Sequence, residues 1–177
     1  MITIMEMLQQ KFHFCPNPEP RSTDFVDNLL RLGLPEDLCA FYCMANGGSG
    51  RIDWSAQAEP EPFVLYTLQE MQEKKAWFTR FSSMIYQEAW LLDERPPNPE
   101  ELTKLERVAA DLIILGEYGK AGWLDYILFY KGVFFTSDRY SLDFPFQDDW
   151  SPHEEATATE DDFRQFLTAI LTPYGMQ

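Results

Sequence analysis

Residues 138 to 162 concentrate the chain's most distinctive chemistry. They hold nine acids, Asp138, Asp143, Asp148, Asp149, Glu154, Glu155, Glu160, Asp161 and Asp162, against the single base Arg139, so these 25 residues carry −8 of a total net charge of −15. Tyr140, Phe144, Phe146 and Trp150 are interleaved with them. Aromatic anchors surrounded by carboxylates suit recognition of a basic protein: the rings supply desolvated contact, and the charges steer the partner in and slow its escape. Asp143, Asp148, Asp149, Glu154 and Glu155 are the expected source of attraction, and Tyr140 and Trp150 the expected anchors. Trp54 and residues 116 to 122, read as a loop, would extend the same surface. A second reading stays open, in which Phe144, Phe146 and Trp150 pack inward to pin the stretch while the acids face water.

Other chemistries have weaker support. Gly47-Gly48-Ser49-Gly50 lacks the following Lys of a phosphate-binding loop and stands at the end of a helical pattern, which predicts a helix C-cap and turn. Gly116, Gly119 and Gly122 do not match the dinucleotide fingerprint and read as a flexible turn. His13, Cys15, Cys39 and Cys43 could supply metal ligands, but the short paired spacings of structural zinc sites are missing, and no metal is expected. Nucleophilic catalysis would have only His13 and His153 as imidazole bases, and no Gly-x-Ser-x-Gly occurs. Carboxylates for acid/base chemistry are plentiful, yet nothing singles out a pair. No catalytic residue and no cofactor are therefore expected.

The 177 residues fit one domain, 1–177. A charge of −15 repels phosphate backbones and anionic headgroups, which argues against direct nucleic-acid or membrane partners and favours a basic protein. Solubility alone would account for the same charge. Three cysteines cannot pair completely, and Cys39 and Cys43 stand one helical turn apart in an apolar stretch, which points to reduced thiols and a cytoplasmic setting. The first base is Lys11, so the start lacks the pattern of a signal peptide, and the apolar runs are far shorter than a membrane helix needs.

These residues must be positioned by elements that the periodicity outlines. Ile4, Met7, Leu8 and Phe12 predict a short helix ending before a loop at Pro16, Pro18 and Pro20. Ser22 or Thr23 can cap a second helix with Phe25, Val26, Leu29, Leu30 and Leu32 as its buried stripe and Gly33 as its stop. Pro35 opens a third, with Leu38, Phe41, Tyr42 and Ala45 inward, ended by Asn46, Gly47 and Gly48. Residues 51–54 and 63–66 read as strands, and Thr67 can cap a helix through Leu68, Met71, Lys75 and Phe78. Residues 81–92 fit strand or helix, and 100–108 has helical spacing. A meander follows: 112–115, 123–130, a Lys131-Gly132 turn, and 133–136. Thr159 is the expected cap of a final helix with Phe163, Phe166, Leu167, Ile170 and Leu171 inward. The sum is α+β: an antiparallel sheet packed with N-terminal helices and a C-terminal helix. Apolar excess in residues 76–92 fits either a homodimer contact or a buried second layer, so monomer and homodimer both stay open.

Taken in order, Leu34-Pro35-Glu36-Asp37-Leu38 opening a helix with Phe41 and Tyr42, then Asn46-Gly47-Gly48, resembles the signature of the SUKH superfamily, the Smi/Knr-type domain. Phe63 to Leu68 leading into a helix, Leu112 to Gly116 before a hairpin, and the closing Thr159-Glu160-Asp161-Asp162-Phe163 segment are similar to that family's order of elements. The match covers residues 22 to 172, with 80–108 longer than expected, and Gly122-Trp123-Leu124-Asp125 is a loose version of the family's Gly-turn strand. The resemblance implies a SUKH-like α+β domain without catalytic residues. Many bacterial members are immunity proteins that bind and neutralise a cognate toxin of a polymorphic or contact-dependent system, often a nuclease. Others are regulatory adaptors that bind a cellular protein. An acidic binder could cover the basic surface that a nuclease presents to nucleic acid.

Overall fold

Continuous burial along the middle strands decides the architecture: residues 112–115 and 126–130 are buried without a break, as a sheet covered on both faces requires. The computed structural model describes residues 2–18, 23–54, 59–93, 99–120, 123–138, 159–160 and 162–171. The elements run α1 (Ile4–Phe12), β1 (Cys15–Pro16), α2 (Thr23–Arg31), α3 (Glu36–Met44), β2 (Gly48–Ile52), β3 (Glu61–Leu65), α4 (Leu68–Asp93), α5 (Pro99–Asp111), β4 (Ile113–Lys120), β5 (Trp123–Tyr130), β6 (Val133–Asp138), β7 (Thr159–Glu160) and α6 (Phe163–Ile170). Among the described residues the strands form one antiparallel seven-stranded sheet in chain order, β1 to β7. This is the expected α+β class.

One face carries the dry core. Phe63 meets Phe12 in a tilted pair at 4.3 Å between centroids and lies 6.2 Å from Phe14, which brings the end of α1 over β3. At the other end of the sheet Phe134 meets Phe163 at 5.0 Å and Phe166 at 6.0 Å, so α6 closes over β6. Phe12, Phe63, Phe134 and Phe166 have no exposed surface. Arg164 ties α6 to α3 through Asp37 at 3.1 Å. The opposite face is covered by α4, with α5 packed along it. There the Lys75 ammonium donates to the Ala110 carbonyl near the end of α5. Burial lowers the Lys75 pKa, partly offset by Asp111.

Several expectations hold in detail. Ile4, Met7, Leu8 and Phe12 of α1 are buried, as are Leu38, Phe41, Tyr42 and Ala45 around α3. Thr67 and Glu70 form a capping box at α4: the Thr67 hydroxyl accepts from Glu70 N at 3.1 Å, and the Glu70 carboxylate accepts from Thr67 N at 2.8 Å. Residues 81–92, open between strand and helix, continue α4. Lys131 and Gly132 take positive φ of 49° and 89° in the β5–β6 turn.

Other expectations fail for identifiable reasons. Gly48, Ser49 and Gly50 form a strand, because α1 and the chain behind it pass directly over them: a Cβ on Gly50 would stand 2.4 Å from the Phe12 carbonyl oxygen. Residues 116 to 120 likewise extend β4 where a loop was expected. Gly116 is needed there because a Cβ would meet the Val64 carbonyl oxygen of β3 at 2.0 Å. Pro16, expected in a loop, lies on edge strand β1, where its missing donor costs least. Asp162, and not Thr159, caps α6: its carboxylate accepts from Arg164 N at 2.9 Å and Gln165 N at 3.1 Å, while Thr159 lies in β7. Leu30, placed in the buried stripe of α2, is 66% exposed; Leu29 beside it is fully buried. The side chains of Phe25 and Val26, also assigned to that stripe, lie outside the described residues.

Candidate functional site

The residues chosen from sequence as a docking surface fall in two groups. Tyr140, Asp143, Asp148, Asp149, Trp150, Glu154 and Glu155 lie outside the described residues. Their segment is flanked on one side by Asp138, at the end of β6 and paired with Asp125, and on the other by β7, which pairs with Phe134 and Phe135. Trp54 is described. It follows β2, half-buried against the core, and its indole Nε1 is buried and finds no hydrogen-bond partner among the described residues. Part of the ring stays open to solvent.

Among the described residues the aromatic side chains that project are Trp123, 62% exposed at the start of β5, and Trp77, 38% exposed on α4. Trp77 belongs to a cluster that the sheet and α4 assemble together. The β4–β5 register sets Glu117 directly opposite Tyr126, and Val64 of β3 is the partner of Glu117 on its other side. Tyr66, just past β3, donates its hydroxyl to the Glu117 carboxylate at 2.6 Å, the short distance of a charge-assisted bond. From α4, Lys74 and Trp77 reach the same rings, being three residues apart and therefore neighbours on the helix surface. The Lys74 ammonium lies 5.3 Å from the Tyr66 ring centroid and 5.8 Å from that of Tyr126, and Trp77 meets Tyr126 edge-on at 6.3 Å.

Burial grades across this cluster. Tyr66 and Tyr126 are buried, Glu117 and Lys74 half-buried, and Trp77 exposed. Among the described residues no carboxylate lies within ion-pair distance of Lys74, so its charge is met by ring faces alone. The arrangement holds a cation against two aromatic faces, beside a carboxylate that uses one oxygen on Tyr66. Such a set has the chemistry to discriminate charge and shape.

Position is fixed by a clasp at the start of α4. Asn46 Oδ1 accepts from Leu68 N at 3.0 Å, Asn46 N donates to the Asn17 carbonyl at 3.1 Å, and Asn17 N donates to the Gly47 carbonyl at 3.0 Å. The Tyr42 hydroxyl donates to the Tyr66 carbonyl at 3.1 Å from a fully buried position, and burial pushes its phenol pKa far up. Asn46-Gly47-Gly48 thus ends α3 and also starts α4.

Remaining titratable groups are scattered. His13 and Asp53 pair at 3.0 Å with Arg51 at 3.5 Å from the same carboxylate, where the end of α1 meets the end of β2. All three cysteines are free; burial raises the Cys39 thiol pKa, and its sulfur bonds to the Leu34 carbonyl at 3.3 Å. Among the described residues no three His, Cys, Asp or Glu side chains are placed to hold a metal ion, and no helix is long and apolar enough to cross a membrane.

Sequence reasoning missed Tyr66, Lys74, Glu117 and Tyr126 as a group. The available signal was Glu117, a carboxylate inside an otherwise apolar strand run. No family model, curated protein or solved structure matches the chain.

Proposed function

We propose that this protein is a cytoplasmic SUKH-type immunity protein that neutralises a cognate toxin, a nuclease in particular, by stoichiometric binding without turnover. The observation that carries the reading is the charge: −15 overall, with −8 in residues 138 to 162, an acidic body suited to covering a basic, nucleic-acid-binding surface. The order of elements supports it as well. A Leu-Pro-Glu-Asp-Leu helix is followed by Asn46-Gly47-Gly48, an antiparallel meander and a closing amphipathic helix. Exposed Trp123 and Trp77 supply the large apolar contacts that protein interfaces use as anchors. Three free cysteines fit a reducing compartment.

The test is calorimetry of the purified protein against the product of the gene immediately upstream. Binding near one to one that weakens with added salt, together with loss of that product's toxicity, is the expected result. No binding to a toxin-like neighbour would overturn the immunity reading and favour a regulatory adaptor of the same fold. Alanine at Asp148, Asp149, Glu154 and Glu155 together is expected to weaken binding and flatten its salt dependence; unchanged behaviour would remove residues 138 to 155 from the interface.

A further inference from the structure

The cluster under α4 has an occupant that belongs to the chain itself. Lys74 places a positive charge over Tyr66 and Tyr126 without a carboxylate in ion-pair reach among the described residues, while Glu117, bonded to Tyr66, keeps acceptor capacity. A half-buried ammonium held by π faces alone is weakly retained, since it has given up part of its hydration and gained only ring attraction. A guanidinium would use the same surroundings better. It is planar, stacks on aromatic faces, is less strongly hydrated than an ammonium, and presents paired donors that match a carboxylate.

We propose that Trp77, Tyr126, Tyr66 and Glu117 form the receptor for an arginine side chain of a basic protein partner, and that Lys74 is a resident placeholder which the incoming guanidinium displaces. The inference rests on the reading of the protein as a binder of a basic partner and names one point of contact. Trp77, 38% exposed, forms the open rim on which the arginine stem lies. The Glu117 oxygens are the polar end, and the −15 body supplies attraction at a distance. Lys74 can leave at low cost because its four-carbon stem reaches water by rotation at α4.

The probe is N-acetyl tetra-arginine amide, with tetra-glutamate as its counterpart, titrated at constant ionic strength while the indole N–H resonances of the five tryptophans are followed. Trp77→Phe assigns the Trp77 signal. Tetra-arginine is expected to shift the Trp77 indole saturably and to leave Trp123 nearly unmoved. Lys74→Met should tighten binding by about three- to tenfold, because the competitor is gone, whereas Lys131→Met, with the same change of charge elsewhere, should change it less than about twofold. Glu117→Gln retains an acceptor for Tyr66 and should weaken binding by about tenfold.

The proposal fails if Lys74→Met weakens binding, or if tetra-glutamate shifts Trp77, since Lys74 would then be reading an anion. It fails equally if both variants bind as wild type does, which would make the peptide's affinity a property of the general acidic surface. These readings are independent of the upstream gene product. A product that binds wild type and both variants alike would keep the immunity reading and remove this contact; a positive peptide result with no binding product would do the reverse.

Discussion

The two faces of one sheet differ in what they ask of their side chains. On the α1/α3/α6 face, Phe12, Phe63, Phe134, Phe163 and Phe166 are buried in ring-to-ring contact. On the α4 face the register that places Tyr126 also places Glu117, and a cation lies over the tyrosine rings. Neighbouring residues of the same strands, such as Glu117 and Tyr118, serve the two purposes in alternation. A sheet covered on both sides can thus commit one face to stability and leave the rim of the other for recognition.

The sharpest way to break this contrast is to empty one face at a time. Phe63→Ala should cost about 3–5 kcal/mol in urea unfolding at pH 7, since a fully buried ring is removed from a close-packed cluster. Trp77→Ala should cost less than about 1 kcal/mol in the same assay, as expected of a side chain already at the surface. Equal losses would erase the distinction. Gly50→Ala should cost about 1–3 kcal/mol, because the added methyl collides with the Phe12 carbonyl and α1 must shift. Asn46→Ala is next, at about 1–2 kcal/mol from the uncapped Leu68 amide, with faster hydrogen exchange in the first turn of α4 as its local signature.

The smallest effect concerns pH. Burial of Asp162 works to raise its pKa, but hydrogen bonds from the Gln165 and Arg164 amides and the Arg164 guanidinium outweigh it and hold the carboxyl below the usual aspartate range. A depressed folded pKa means stabilisation that is present above the unfolded value, about 3.9, and lost as pH falls through the lower folded value. Asp162→Asn keeps the cap but not the charge. It should lower stability by less than about 1 kcal/mol at pH 7, and the difference should shrink toward zero in strong acid. A difference that persists at pH 2 would assign the effect to packing.

What the sequence made legible was local. Stripes at helical spacing located α1 and α3, and Thr67 with Glu70 located the start of α4, because periodicity and capping act within a few residues. Glycines misled the reading where their cause lies elsewhere in the chain. Gly50 and Gly116 look like turn residues but are required by the segments that cross or adjoin them, the end of α1 and β3. The acidic stretch at 138 to 162 could be found by counting. The Tyr66, Lys74, Trp77, Glu117 and Tyr126 cluster could not, since it depends on a cross-strand register and on the rotational phase of α4, neither of which has a local signature.

The Asn46 clasp bears on how fast a partner can be engaged. One residue joins the exit of α3, the strand behind α1 and the first amide of α4, its backbone N–H bonding Asn17 and its side-chain oxygen Leu68, so Lys74 and Trp77 stand on a helix whose start is tied to the body of the sheet. The conformational entropy of holding these groups in position is spent at folding, before any encounter. Were a partner to dock against α4 as proposed, the backbone beneath it would already be in place, and only the Lys74 side chain would have to move.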